Sequence, residues 1–238
     1  AYKAMRQGIE NVMAANIPFR FNTVVTKINY KILPSLAREF IDLKLSKVNF
    51  IMFTPWETWF THLLEDFHGR YSEIAPYLKE TVLILQAAGI QCLVSYIPFC
   101  LFDGFEKYVM NYPQACFVQL CLKNNWGWDY KRGHPLRGEY DYLYYTLLES
   151  RMRYSQPQPC KKCALRFMCS GLPKRYVETE GCEELKPLSG MLVRDPIYFH
   201  TNKVEESMPS EHPLCAFLRD NFESVYPWLK KTDPLFLH

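Results

Sequence analysis

Three cysteines in the second half of the chain set the first expectation. Cys160, Cys163 and Cys169 follow the pattern C-x2-C-x5-C, with Ser170-Gly171 directly after. Two thiolates two residues apart grip one metal centre from a tight turn, and a third after five more residues returns to it. A closed all-thiolate site, zinc or iron–sulfur, then needs a fourth ligand. A structural zinc ribbon presents two C-x2-C knuckles and this chain has one, so the spacing fits a cubane cluster with a distant fourth cysteine better. Cys100 and Cys182 are the candidates. Cys100 closes Ile97-Pro98-Phe99-Cys100 at the end of a predicted strand, the edge where α/β barrels build their sites. Cys182 is nearer in sequence, twelve residues beyond Cys169. Lys161, Lys162, Arg166 and Lys174 lie close enough in sequence to offset the thiolate charge. The same thiols admit two other uses, a four-cysteine zinc interaction module and a redox pair of Cys160 and Cys163.

Other residues make weaker claims. Glu57, in Thr54-Pro55-Trp56-Glu57-Thr58-Trp59, follows a strand at the functional edge, though a solvated loop acid is the plainer reading. His62, His68, His134, His200, His212 and His238 share no ligand spacing. His212-Pro-Leu-Cys215 reads as core or loop. Cys92, Cys116 and Cys215 sit in apolar surroundings and read as small buried hydrophobes. The aromatic residues from Trp126 to Tyr145 fit packing under irregular loops as readily as a peptide groove.

The elements that must position these residues follow from periodicity. Residues 1–15 form a helix with Tyr2, Met5, Ile9, Val12 and Met13 on one face. Phe19–Thr26 is a strand. A helix starting near Pro34 carries Leu36, Phe40 and Leu43 on its apolar stripe. Val48–Phe53 is a strand, Ser72 caps a helix running to Ala88, Gly89 stops it, and Gln91–Ile97 is the third strand. The junctions Ala14-Ala15-Asn16-Ile17 and Ala87-Ala88-Gly89-Ile90 repeat. The αβαβαβ order predicts an α/β fold with a parallel sheet and right-handed crossovers. Three strands cannot close a barrel, so the chain is expected to begin inside an α/β domain. Residues 101–190 read as irregular structure, a helix around Tyr142–Tyr154 and the cysteine-rich stretch. Ser207–Pro213 reads as a loop and Leu214–Phe222 as a short helix.

Composition narrows the class. The 238 residues are 48% hydrophobic and 22% charged, which excludes a disordered chain. A net charge of +3 does not point to nucleic acid. The longest apolar stretches, near Val82–Leu85 and Leu93–Phe102, fall short of a membrane span. Nine cysteines, clustered and odd in number, suit a reducing, cytoplasmic setting better than a disulfide scaffold. The chain opens Ala-Tyr-Lys-Ala-Met-Arg, with neither an initiator Met nor the apolar core of a signal peptide.

These residues resemble a family. The block Cys-x2-Cys-x5-Cys-x-Gly followed by Tyr176, Gly181, Glu184 and Pro187 resembles the auxiliary-cluster domain of radical SAM enzymes of the SPASM/twitch type. Ile-Pro-Phe-Cys100 resembles the point where their last barrel strands enter that domain. Arg20-Phe-Asn22-Thr-Val-Val-Thr-Lys27-Ile-Asn29 with Leu33-Pro34 looks like their fourth barrel strand and the helix after it. The resemblance spans roughly residues 1–190 and implies the C-terminal half of a partial (β/α)6 barrel over 1–100. An auxiliary iron–sulfur domain would follow over 101–190, then an extension over 191–238. It implies Cys100, Cys160, Cys163 and Cys169 as ligands of an auxiliary 4Fe–4S cluster that carries electrons, and Asn22 as a hydrogen-bond partner of the S-adenosylmethionine ribose. It further implies a second 4Fe–4S cluster that cleaves S-adenosylmethionine to a hydrogen-abstracting radical, and a peptide or protein substrate. An electron donor such as a flavodoxin or ferredoxin would serve it. The C-x3-C-x2-C segment of that second cluster is missing here. This leaves two expectations, a fragment that is inactive alone or a cluster-binding protein that lost the radical chemistry, and the partial sheet and the absent initiator favour the fragment.

Overall fold

The computed structural model describes residues 2–17, 19–54, 66–111, 114, 153–193 and 198–200. Glu57, the Trp126–Tyr145 aromatics, Cys116, Cys121, Cys215, His212 and the elements expected beyond residue 200 lie outside them. So does most of the helix read around Tyr142–Tyr154, although Tyr154 itself opens a strand.

Helix α1 (Tyr2–Ala14), strand β1 (Phe21–Val25), helix α2 (Leu33–Asp42), strand β2 (Lys47–Met52), helix α3 (Tyr71–Ala87) and strand β3 (Gln91–Ser95) follow in the expected order. The fold is mixed α/β around a parallel three-stranded sheet, β1-β2-β3. Val109 adds an isolated parallel bridge to Val94. Because spatial order equals sequence order, each right-handed crossover steps the same way and the crossover helices gather on one face. That face holds the core. Val48, Phe50, Met52, Cys92 and Val94 pack with Leu33, Ala37 and Phe40 of α2 and Ile74, Leu78, Val82 and Leu85 of α3. Phe40 lies 4.9 Å from Phe21 and 6.5 Å from Phe50 between ring centroids. Among the described side chains of α1 only Ile9 is buried and Met5 stays exposed, so that helix docks more loosely than its apolar stripe implied.

Pleat alternation puts Asn22, Val24, Asn49, Ile51, Leu93 and Ser95 on the opposite face. A polar ladder crosses it. Ser95 Oγ donates to Asn49 Oδ1 at 3.1 Å, and Asn49 Nδ2 donates to Asn22 Oδ1 at 3.5 Å.

The repeated junctions have a common cause. Each helix ends on a left-handed residue, Asn16, Lys44 or Gly89. The next amide reaches back five residues: Ile17 to Val12, Leu45 to Phe40, Ile90 to Leu85. This is the Schellman closure, and it satisfies carbonyls the helix end would leave open. The sequence showed it at Asn16 and Gly89 and hid it at Lys44, a residue ill-suited to positive φ.

Ser72 does not cap α3. The N-cap position is Arg70, without a side-chain cap, and Ser72 lies inside the helix with its N–H bonded to Glu184 Oε2 at 2.9 Å. A carboxylate from far along the chain serves that helix end, where negative charge is favoured.

Lys44 sits at φ 53. Left-handed backbone costs a Cβ-bearing residue about 1–2 kcal/mol, more than the entropy a glycine loses. Lys44→Gly is expected to raise stability by roughly 0.5–1 kcal/mol. An unchanged or lowered denaturation midpoint would contradict the strain.

Candidate metal centre

Cys100 lies beyond the end of β3, in a 3-10 turn over Phe99–Leu101. A bend carries it there. Tyr96 has φ 69, a left-handed conformation unusual for a bulky residue. Asn111, 2% exposed, holds the bend. Its Oδ1 accepts from the N–H groups of Tyr96 (2.7 Å) and Ile97 (3.1 Å), and its Nδ2 donates to Ile97 O at 2.8 Å. Asn111 N–H then donates to Gln114 Oε1, and Gln114 Nε2 to Met168 O at 2.7 Å. A polar chain thus runs from the end of β3 into the cysteine-rich segment.

That segment starts at β4 (Tyr154–Ser155), which pairs antiparallel with β5 (Leu172–Pro173). The loop between them carries the C-x2-C-x5-C motif. Cys160 sits in a 3-10 turn over Gln158–Lys162, and Cys163 N–H donates back to Cys160 O at 3.0 Å. Cys169 N–H closes on Leu165 O, also at 3.0 Å. Gln156 Nε2 donates to the carbonyls of Arg166 and Cys169. Ala164 bonds Leu188 and Val193, which straps the following segment over the loop. Gly171 explains the Ser-Gly pair. It has φ 82, and a Cβ there would stand 2.0 Å from Ser155 O.

Cys100, Cys160, Cys163 and Cys169 line one cavity, with Pro98, Phe99, Leu165, Leu185 and Pro187 giving it an apolar wall. The cavity is small, about 20 Å³, and it opens to solvent. The structure therefore brings together all four of the expected cysteines. Cys182 is close enough to Cys160 for their charges to interact, but it does not line the cavity. Burial pushes the Cys100 and Cys160 thiols up to about 12 and the Cys169 thiol up to about 11. Neighbouring thiols push the same way. Backbone amides oppose it, including Gly171 N–H at 3.4 Å from Cys169 Sγ. Thiols in this setting stay protonated unless a cation offsets the charge. The four are spread around the cavity rather than gathered on a point. Among the described residues, no group of three or more His, Cys, Asp or Glu side chains is placed to hold a single metal ion.

A second contact locks the cysteine-rich unit to the sheet. Helix α4 (Lys174–Glu180) presents Tyr176, whose hydroxyl donates to Glu184 Oε1, the carboxylate that serves α3. The Tyr176 ring meets His68 at 4.7 Å and Tyr71 at 5.1 Å. Neither nitrogen of the buried His68 ring makes a hydrogen bond of good geometry among the described residues, although the Gly69 backbone lies close to it. Burial lowers its pKa to about 4, against weak opposition from the Gly69 backbone and Glu184. Asn22 stands away from the cavity, exposed on the open sheet face, and Thr54 after β2 bonds Tyr154 of β4 at 3.3 Å. Asn111, Gln114 and Gln156 were not singled out by sequence, and Gly171 was noted there only as part of the cysteine motif. Only the Gly of the Ser-Gly pair carried a local signal.

No family model, curated protein or solved structure matches this chain. Among the described residues no helix is long and apolar enough to cross a membrane.

Gly171→Ala is expected to break the β4–β5 pairing and cost more than about 2 kcal/mol, since strain and a clash add. A denaturation midpoint within error of the parent would refute the close approach. His68 makes a pH prediction. Between pH 6.5 and about 4 the unfolded chain takes up a proton there that the folded chain refuses, so stability falls as pH drops through that window. At pH 5 the loss is at most about 2 kcal/mol. Denaturation at pH 7 and pH 5 should show His68→Phe losing less than the parent; equal losses would mean that His68 is not held neutral.

Proposed function

We propose that this chain is the distal part of a radical SAM enzyme, the latter half of a partial β/α barrel joined to a SPASM/twitch-type auxiliary iron–sulfur unit. The observation that carries the reading is the convergence of Cys100, Cys160, Cys163 and Cys169 on one apolar cavity. The sheet is consistent with it. Its three parallel strands advance in one direction, an order that a barrel wall shares with one half of a doubly wound sheet.

Those four cysteines would hold a 4Fe–4S cluster, with Cys182 the competitor of Cys100 for the fourth corner. When bound, such a cluster supplies a one-electron centre. The chain's own residues do the rest. The apolar wall keeps water from the sulfurs, Gly171 N–H steadies Cys169 Sγ, and the bend at Tyr96 holds Cys100 in reach. A four-cysteine zinc site, the alternative, would need every sulfur about 2.3 Å from one point. Asn22 is the residue that would hydrogen-bond the ribose of S-adenosylmethionine. Its Oδ1 is taken up by Asn49, which leaves its NH2 without a partner among the described residues. The SAM-cleaving cluster would belong to a segment other than this one. The reading includes a peptide or protein substrate, a flavodoxin or ferredoxin as electron donor, and a reducing, cytoplasmic setting.

Anaerobic purification and reconstitution test it. The expected product is brown with about four irons per chain. A colourless protein with one zinc would replace the reading with the interaction module, and metal-free protein forming a reversible Cys160–Cys163 disulfide would replace it with a redox pair. Cys163→Ser should abolish iron binding. Cys100→Ser should lose the cluster while Cys182→Ser keeps most of it; the reverse result moves the fourth ligand to Cys182.

A further inference from the structure

The joint between the cysteine-rich unit and the sheet gathers titratable groups that the cysteine site does not use. Tyr71, Tyr154 and Tyr176 are buried there with His68. The His68, Tyr71 and Tyr176 rings meet in a triangle. Centroids are 5.4 Å apart for His68 and Tyr71, 4.7 Å for His68 and Tyr176, and 5.1 Å for the two tyrosines. Thr54 lies close to the Tyr71 hydroxyl and 3.3 Å from that of Tyr154. The Tyr154 ring is 6.3 Å from that of the half-buried Tyr96. An aromatic file thus leads from the bend after β3 to α4.

The phenols of this file differ in what receives their proton. Burial raises the Tyr71, Tyr154 and Tyr176 phenols well above the ordinary tyrosine value, so each is protonated at neutral pH. A protonated phenol yields an electron readily only if its proton leaves with it, which needs a base within hydrogen-bond reach. The Tyr71 hydroxyl makes no hydrogen bond of good geometry among the described residues, and the group beside Tyr154 is another hydroxyl. Elsewhere, the buried Tyr108 donates to Gln86, a neutral amide. Tyr176 donates to a carboxylate, Glu184 Oε1. Ser72 N–H, at 2.9 Å, fixes the other oxygen of that carboxylate. Arg70 lies beside the pair, with Glu180 as its own carboxylate at 3.7 Å.

We propose that Tyr176 is a redox-active tyrosine, which yields an electron to an organic peroxyl radical outside the protein while its phenol proton passes to Glu184. The peroxyl radical gains one electron and becomes an organic hydroperoxide anion. Tyr176 loses one electron, its O–H bond breaks, Glu184 Oε1 takes the proton, and a neutral phenoxyl radical remains. A small thiolate returns the electron and becomes a thiyl radical, and the proton goes back from Glu184 to Tyr176. Burial of the whole ring keeps the phenoxyl from coupling with other radicals. The proposal stands on this joint and not on any metal in the cysteine cavity.

The test uses the full 238-residue chain as purified. A photogenerated ruthenium(III) complex is the oxidant, and freeze-quench electron paramagnetic resonance reads the product. The parent is expected to give a long-lived tyrosyl signal that forms more slowly in D2O. Tyr176→Phe should abolish that signal and Tyr108→Phe should leave it. Glu184→Gln keeps the shape and cannot take the proton, so the signal should form slower by about tenfold or more. Peroxyl radicals from a thermal azo initiator should give the same signal. The parent's signal in Tyr176→Phe, or the parent's rate in Glu184→Gln, overturns the proposal; a purely structural Tyr176 would move the denaturation midpoint and neither readout. A signal with ruthenium and none with peroxyl overturns the choice of oxidant. If Tyr176→Phe fails to fold, Glu184→Gln and the D2O comparison on the parent decide. The signal is expected with or without iron bound, so failure of the cluster reading and failure of this one are seen separately.

Discussion

The bend after β3 decides where the cysteine site can be. A parallel strand runs on in its own direction, and Cys100 reaches the other three cysteines only because Tyr96 turns the chain in a conformation it resists. Asn111 makes the turn tolerable by taking both amides exposed by it and returning a donor to Ile97. Buried amides left unpaired cost about 1–3 kcal/mol each, so one side chain outweighs the local strain. The same residue hands on through Gln114 to Met168, so the strand end and the cysteine loop are positioned by one network. Networks of this kind hold a single geometry because each member loses more by being half-satisfied than it gains by moving.

A cavity with four thiols is a poor hydrophobic core. Cysteine packs well, but its sulfur gains little from apolar neighbours that Leu or Val would not gain more cheaply. The space the four thiols line, about 20 Å³, is small and opens to solvent. What holds this region is peripheral to the sulfurs: the Leu165–Met168–Leu172 apolar cluster, the strap bonded to Ala164, and the Tyr176–His68–Tyr71 rings against the sheet. Fold and site are separable only in part. Cys160 and Cys163 are themselves part of the buried core, with Cys100 and Cys169 packed against it.

Much of the sheet was legible and much of the joint was not. Helical and strand periodicity located all three αβ units within a few residues, because each buries one face against its sequence neighbours. The C-x2-C-x5-C spacing, with the placement of Cys100 after a strand, named four residues that share a cavity. The hidden parts are long-range. Glu184 serves a helix start far away in sequence, so Ser72 looked like the cap it is not. β4 and β5 are two residues each, too short for a period-two pattern, and their pairing shows only through Gly171. Asn111, Gln114 and Gln156 act by bonding backbone groups, and a lone amide side chain in a sequence carries no mark of that use.

The winding of the sheet has a consequence for how this chain behaves as an object. A sheet whose strands advance in one direction keeps a raw margin, and here that margin is β1. Its outer amides and carbonyls meet no strand among the described residues, and Val24 beside them is 48% exposed. Such a margin is adhesive, since any extended segment that lies along it satisfies a row of hydrogen bonds at once. A strand added there would extend the sheet along Phe21–Val25, whose residues are not among those that line the cysteine cavity.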